Sequence, residues 1–437
     1  MATLPSNPVE SDLEDFVAAH LTARGVFVET GVTDRDPQDI LELDVVWTDY
    51  DHPEAPRFPI EIKSGKWQLG DLFKFYGWTR YLDLPSGWFV CRQTAGRVQP
   101  DTIDRLGARM GIRVVHIDEP NNADRHFDNL GLPPPSGPEL TSIWRYSFKA
   151  QRRLLTSLSM AIRNECCPNS ARVAKDYFKV INDAIFFEPD IRARVGALLE
   201  AHFAHPKLAL SSAAEIAGKG YVPDDPPTTQ EFKSALYNGR YFPVQACLFL
   251  GHRARLALVK AVTDYVLATR RGPLAPRILR IFGQEFELQN AGLYTAFLKA
   301  AEKCSQSAHI HRYPVLWQVF LWSWGGFLLE DRRDAEYAAL SQESGVPFDE
   351  IETALRLFDE LFPTAGGWFA RRDGSSRRVL KLMPAALRGI GAYSRLIRYK
   401  HEHYHELGYK DRTDSHLAED HNSGVRLLEA PEENLAL

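Results

Sequence analysis

Two short runs constrain the fold more than anything else in this chain: ILELDVVWT over residues 40–48 and RFPIEIKS over residues 57–64. Both are rich in β-branched and aromatic residues, and turn-forming residues 49–56 (DYDHPEAP) separate them, so they read as two strands joined in a hairpin. Side chains two apart in a strand share a face. Glu42 therefore points with Asp44, and Glu61 with Lys63, while Leu43, Val45, Ile60 and Ile62 point the other way into a core. Carboxylates crowded on paired strands repel one another, and folding gains nothing from them. A surface hairpin with solvated charges is one reading. A divalent cation held by the carboxylates is the other, and hard oxygen ligands suit Mg²⁺, with Mn²⁺ as a substitute.

The flanking sequence supplies a frame for such a hairpin. Ser11 followed by Glu14 reads as a capping box opening a helix, with Leu13, Phe16, Val17 and Leu21 on its apolar face and Gly25 at its end. A strand is expected over residues 26–30, then a polar loop over 33–39. Beyond the hairpin, residues 69–82 have helical spacing, residues 87–91 and 112–118 look like buried strands, and residues 100–110 form a helix between them. The order α, three strands, α, strand, α, strand predicts an α/β domain, a mixed sheet flanked by helices, over residues 1–118.

Asp44, seventeen residues ahead of Glu61-Ile62-Lys63 on a hairpin within that order, resembles the PD-(D/E)xK or restriction-endonuclease-like nuclease superfamily. The resemblance covers roughly residues 8–118. Leu43 stands where the motif's name has proline, and no glutamine-x-x-x-tyrosine signature follows Lys63. The resemblance implies that Asp44 and Glu61 bind metal, that Ile62 lends its carbonyl, and that Lys63 orients or activates the attacking water. It makes Glu14 an auxiliary acid and Glu42 a weaker one. The activity implied is metal-assisted hydrolysis of phosphodiester bonds. DNA is favoured over RNA by analogy with the superfamily, and a role in restriction or defence against foreign nucleic acid is the expected setting. A non-catalytic nucleic-acid-binding regulator, or an interaction scaffold, built on a silent nuclease fold is the alternative. Lys66 and Lys74, with Arg80, could meet phosphates from the loop and helix that follow, although a solvated helix face explains Lys74 and Arg80 equally well.

A proline-rich stretch at residues 119–138 reads as a linker, and the pattern beyond it is helical. Residues 139–329 suggest about eight helices without a recognisable catalytic motif, with Lys149, Arg152 and Arg153 on a solvated face and a buried helix over 314–329. Residues 330–412 are expected to hold a winged-helix-like unit and a terminal helix. Its elements are helices near 334–342 and 348–361, then a hairpin around Asp373-Gly374. The wing would carry Arg371, Arg372, Arg377 and Arg378 toward a nucleic-acid backbone. The second helix carries Asp349, Glu350, Glu352, Asp359 and Glu360, an acidity unsuited to a groove, so packing or partner contact is favoured over base readout. His401, His403 and His405 follow a helical pattern in which i and i+2 do not face together, and residues 413–437 read as a disordered tail.

With 437 residues, 44% hydrophobic and 25% charged, the chain is long enough for two or three domains with ordinary cores. Five cysteines without metal-ligand spacing, and no signal-peptide pattern, predict reduced thiols in the cytoplasm. No apolar run is long enough to span a bilayer. The net charge of −5 confines any nucleic-acid contact to a local patch. A homodimer, and a protein partner bound through the helical region, are further expectations.

Overall fold

The computed structural model describes residues 4, 8–35, 39–52, 55–92, 96, 98–117, 125–128, 131–137, 139–163, 256, 260, 263, 299, 303, 306–324, 327–329, 333–361 and 379–382. Two compact units divide near residue 148. The first follows the expected order: α1 (Glu10–Thr22), β1 (Phe27–Arg35), β2 (Asp39–Thr48), β3 (Arg57–Lys63), α2 (Leu69–Tyr81), β4 (Gly87–Cys91), α3 (Pro100–Met110) and β5 (Ile112–His116). The five strands form one mixed sheet in the order β1-β2-β3-β4-β5. β1, β2 and β3 pair antiparallel, and β3, β4 and β5 pair parallel. Parallel neighbours need crossovers, which α2 and α3 provide.

Burial explains the pattern. Leu43, Val45, Ile60 and Ile62 are wholly buried, as their alternation requires, and every residue of β4 is buried because the strand is central. Phe89 packs against Trp67 and Phe75, so α2 covers the face of β4 that continues the Glu61 and Lys63 face of β3. Each such aromatic contributes roughly 1.5–3 kcal/mol by leaving water. The approach of α3 to β5 is close: a Cβ on Gly107 would lie 2.7 Å from the Ile112 carbonyl oxygen.

Four expectations are corrected. The helix opens at Glu10, not at a Ser11 cap; its reach-back bond runs from the Val9 N–H to Asp12 Oδ2 at 3.0 Å, which leaves Glu14 for other contacts. The polar loop is shorter than expected, because β1 continues through Gly31 (φ 59°) to Arg35 and pairs with β2 up to Asp39. The presumed linker contains α4 (Arg125–Asp128), anchored on α1: Phe127 stacks on His20 at 4.5 Å and Asp128 Oδ1 accepts from Arg24 at 3.0 Å. In α5 (Leu140–Arg163), Lys149 is buried rather than solvated.

In the second unit, α6 (Tyr313–Gln318) runs into a π-helical turn, Val319–Ser323. This segment is buried, as expected, but it gives way to a strand, β6 (Phe327–Leu329), rather than continuing as helix. α7 (Arg333–Ser344) and α8 (Ile351–Leu361) follow, separated by a turn through Gly345 at φ 73°. β7 (Val379–Leu382) pairs antiparallel with β6. Trp317 Nε1 donates to the Ala354 carbonyl at 2.9 Å and Phe358 packs at a tilt against the same ring, tying α6 to α8. The Asp373-Gly374 turn, the four wing arginines, the histidines beyond residue 400 and most of residues 164–305 lie outside the described residues. Among the described residues no helix is long and apolar enough to cross a membrane.

Candidate active site

The ladder between β2 and β3 runs from Thr48 opposite Arg57 to Val45 opposite Ile60 and stops there. Asp44 and Glu61 come next on their strands, and past this point the strands part. The Ile62 N–H donates to Asp44 Oδ2 at 2.7 Å instead of to a backbone carbonyl of β2. Peptide groups along a strand alternate between its two edges. The Lys63 carbonyl accepts from the Arg92 N–H on the β4 edge, so the Ile62 carbonyl faces the open β2 edge beside Asp44. Lys63 Nζ lies 2.8 Å from Glu61 Oε1 and 3.5 Å from Glu10 Oε1, which α1 brings to the same place.

The electrostatics are those of crowded negative charge in a poorly hydrated site. Asp44 is pushed up to about 8, first by burial, then by Glu61 and Glu14, against the pull of the Ile62 N–H and Lys63. Burial also raises Glu61, opposed by Lys63 and Lys74, with Glu10 adding to the rise. Burial works against the Lys63 ammonium, but Glu61, Asp44 and Glu10 outweigh it and hold the lysine above its ordinary value. Among the described residues Lys63 is the one cation paired within the cluster, and it does not balance the carboxylates around it.

The residue types fit a hard divalent cation. Glu61 Oε2 is buried and has no hydrogen-bond partner among the described residues, a costly condition that a ligand would relieve. Among the described residues no three Asp, Glu, His or Cys side chains converge as a closed metal cage. Mg²⁺ does not need one, since one or two carboxylates and a carbonyl leave room for its waters.

The expected residues divide clearly. Asp44, Glu61, Ile62 and Lys63 come together, and Glu14 acts on Asp44 from α1. Glu42 does not join them: it is exposed, across from Thr33, two residues out along β2. Lys66 is exposed in the loop after β3, and Lys74 is exposed on α2 with its charge felt at Glu61. Glu10 is the residue that sequence reasoning missed. Its signal was its place four residues before Glu14, one turn along the same helix. A second polar relay lies one strand further in: Cys91 Sγ is 3.4 Å from His116 Nδ1, and His116 Nε2 is 3.2 Å from Asp104 Oδ1. Cys91 is wholly buried, so this relay packs behind Lys63, its neighbour in the β3–β4 register.

No family model, no curated protein and no solved structure matches the chain.

Proposed function

We propose that the chain is a metal-dependent nuclease of the PD-(D/E)xK type, with Asp44, Glu61 and Lys63 as its catalytic residues. The observation that carries this reading is the parting of β2 and β3 at Asp44 and Glu61, where a buried Glu61 oxygen without a partner among the described residues lies beside a second carboxylate and a lysine. A stable protein seldom retains that arrangement for packing, because each unsatisfied buried oxygen costs roughly 1–3 kcal/mol.

Asp44 and Glu61 would hold Mg²⁺ or Mn²⁺ with the Ile62 carbonyl. Bound there, the cation would polarise a phosphoryl oxygen and lower the pKa of its water. The Ile62 N–H fixes the Asp44 carboxylate, so its free oxygen has a set direction. Lys63 is held between Glu61 and Glu10, where its ammonium can orient the attacking water and steady charge on the phosphate. Glu14 tunes Asp44 electrostatically. DNA is the preferred substrate by analogy, and restriction or defence is the setting that suits a nuclease joined to a large helical region.

The second unit supports a companion reading as a winged-helix-like module. What favours it is the pair of helices α7 and α8 separated by a tight turn, with β7 following them and pairing antiparallel with β6. Packing or partner contact remains its favoured use, because Glu352 on α8 is taken up by Arg356 of the same helix, and Glu350 just before it by His309, Ser307 and Tyr313.

The test is incubation of the full chain with linear, circular and single-stranded DNA, and with RNA, in Mg²⁺, Mn²⁺ or EDTA, beside Lys63→Ala and Asp44→Ala. Metal-dependent cleavage lost in both variants is the expected result. A wild type that neither cuts nor binds metal would leave a silent fold serving a binding regulator.

A further inference from the structure

The outward face of α2 is unusual for a helix in water. At 100° per residue, Gly70, Phe73, Lys74, Gly77, Arg80 and Tyr81 fall on one arc, and all six are exposed, whereas Leu72, Phe75 and Thr79 form the buried side. Phe73 is 53% exposed and Tyr81 60%, which makes them two of the five large hydrophobic side chains left in solvent among the described residues. The arc carries two aromatics and two cations and no acid. The helix's one acid, Asp71, is used at its start, where its Oδ2 accepts from the Gln68 N–H at 2.7 Å. The glycines keep the middle of the face flat: a Cβ on either Gly70 or Gly77 would meet nothing within 4 Å. Half-buried Trp78 borders the arc, with Lys74 Nζ 4.5 Å from its ring centre.

We infer that this face is a platform for an unpaired nucleic-acid strand, on which Phe73 and Tyr81 stack bases while Lys74 and Arg80 meet phosphates. Exposed aromatics interleaved with cations are the chemistry that single strands require, since every unpaired base offers a π-face and every linkage a negative charge. Bases inside a duplex are stacked on one another and offer no face to a helix surface. A basic, acid-free face complements a polyanion, and two exposed glycines let a sugar-phosphate chain approach the helix backbone. Phe73 and Tyr81 are eight residues apart, roughly 12 Å along the axis, which separates two stacking positions on one strand. The place is also right. The Lys74 charge is felt at Glu61, which puts one cation of the platform near the carboxylates. The inference deepens the nuclease reading by naming its substrate as single-stranded or locally unpaired nucleic acid, and it rests on that reading for its consequence but not for its test.

Binding in EDTA separates the two. Fluorescein-labelled oligothymidylate, oligouridylate and a duplex of equal length are titrated against the full chain and against Phe73→Ala, Tyr81→Ala and the double variant, with circular dichroism as the check on folding. The wild type is expected to bind the single strands more tightly than the duplex. Each aromatic removal is expected to weaken single-strand binding roughly tenfold. Folded aromatic variants that bind single strands as the wild type does would overturn the platform. A change of sedimentation in those variants would then assign the face to a second copy of the chain. Platform binding without Lys63-dependent cleavage in Mg²⁺ would sink the nuclease reading alone, and cleavage indifferent to Phe73 and Tyr81 would sink the platform alone.

Discussion

Glu61 and Glu350 are both glutamates held by several neighbours, and the chain treats them in opposite ways. Glu350 closes the 3₁₀ turn Phe348–Glu350 before α8; its Oε1 lies 2.7 Å from His309 Nδ1, and its Oε2 accepts from Ser307 Oγ at 2.8 Å and Tyr313 O–H at 3.0 Å. Slight burial would raise it, but the hydrogen bonds from His309, Ser307 and Tyr313 prevail and hold it below the usual range. Glu61 is buried further, has one oxygen without a partner, and shares its neighbourhood with Asp44 and Glu10. A carboxylate satisfied by its own fold ties elements together. One left unsatisfied among the described residues, beside another carboxylate, stores a demand that a bound cation can meet.

The sharpest way to break this contrast is to neutralise each acid in turn. Glu61→Gln is expected to lower cleavage by roughly 10²–10⁴-fold, as is Lys63→Ala, while Glu350→Gln leaves the rate unchanged in the same assay. Equal losses from the two glutamine variants would erase the distinction. Next in size is the response to metal. Mg²⁺ at a hundred times its dissociation constant should stabilise the wild type by about 2.7 kcal/mol, read as a rise in Tm, and Asp44→Asn should remove that rise.

The pH dependence has opposite signs in the two places. Asp44 is raised in the fold from 3.8 to about 8, so its contribution is fully present below pH ~4 and is lost as pH rises through about 8. Metal-free wild type should therefore lose Tm across that window, Glu61 adding in the same direction, and Asp44→Asn should flatten the curve. Glu350 is lowered in the fold, so its contribution is present above its ordinary value of 4.5 and fades as pH falls through the depressed one. Glu350→Gln is expected to cost about 1 kcal/mol near neutral pH, measured by urea unfolding, and the gap from wild type should close in acid.

Local rules carried much of the first unit. The spacings of Leu43, Val45, Ile60 and Ile62, the proline opening α3 and the glycine ending it made most elements readable from neighbours a few residues away. They failed where a competing contact lay elsewhere. Ser11 and Glu14 form a sound capping box on paper, yet Asp12 does the reaching back, and the charge of Glu14 is felt at Asp44, thirty residues along the chain. Residues 125–128 look like linker because nothing local calls for a helix; Phe127 finds its reason against Phe16 and His20.

The same division runs through the site. Period-two alternation alone determined that Asp44 and Glu42 share a face of β2, that Glu61 and Lys63 share a face of β3, and that the aliphatics between them are buried. Alternation does not say which of the two β2 acids meets Glu61; the resemblance pointed to Asp44, and the tertiary structure supplies the physical reason. The ladder ends at Val45 and Ile60, the Ile62 N–H is released to Asp44, and α1 brings Glu10 and Glu14 over the gap, while Glu42 stays in solvent. Alternation is a property of one strand and is written in consecutive residues. The meeting of charges from a helix and two strands depends on where the ladder stops and how the helix crosses it, and packing sets both.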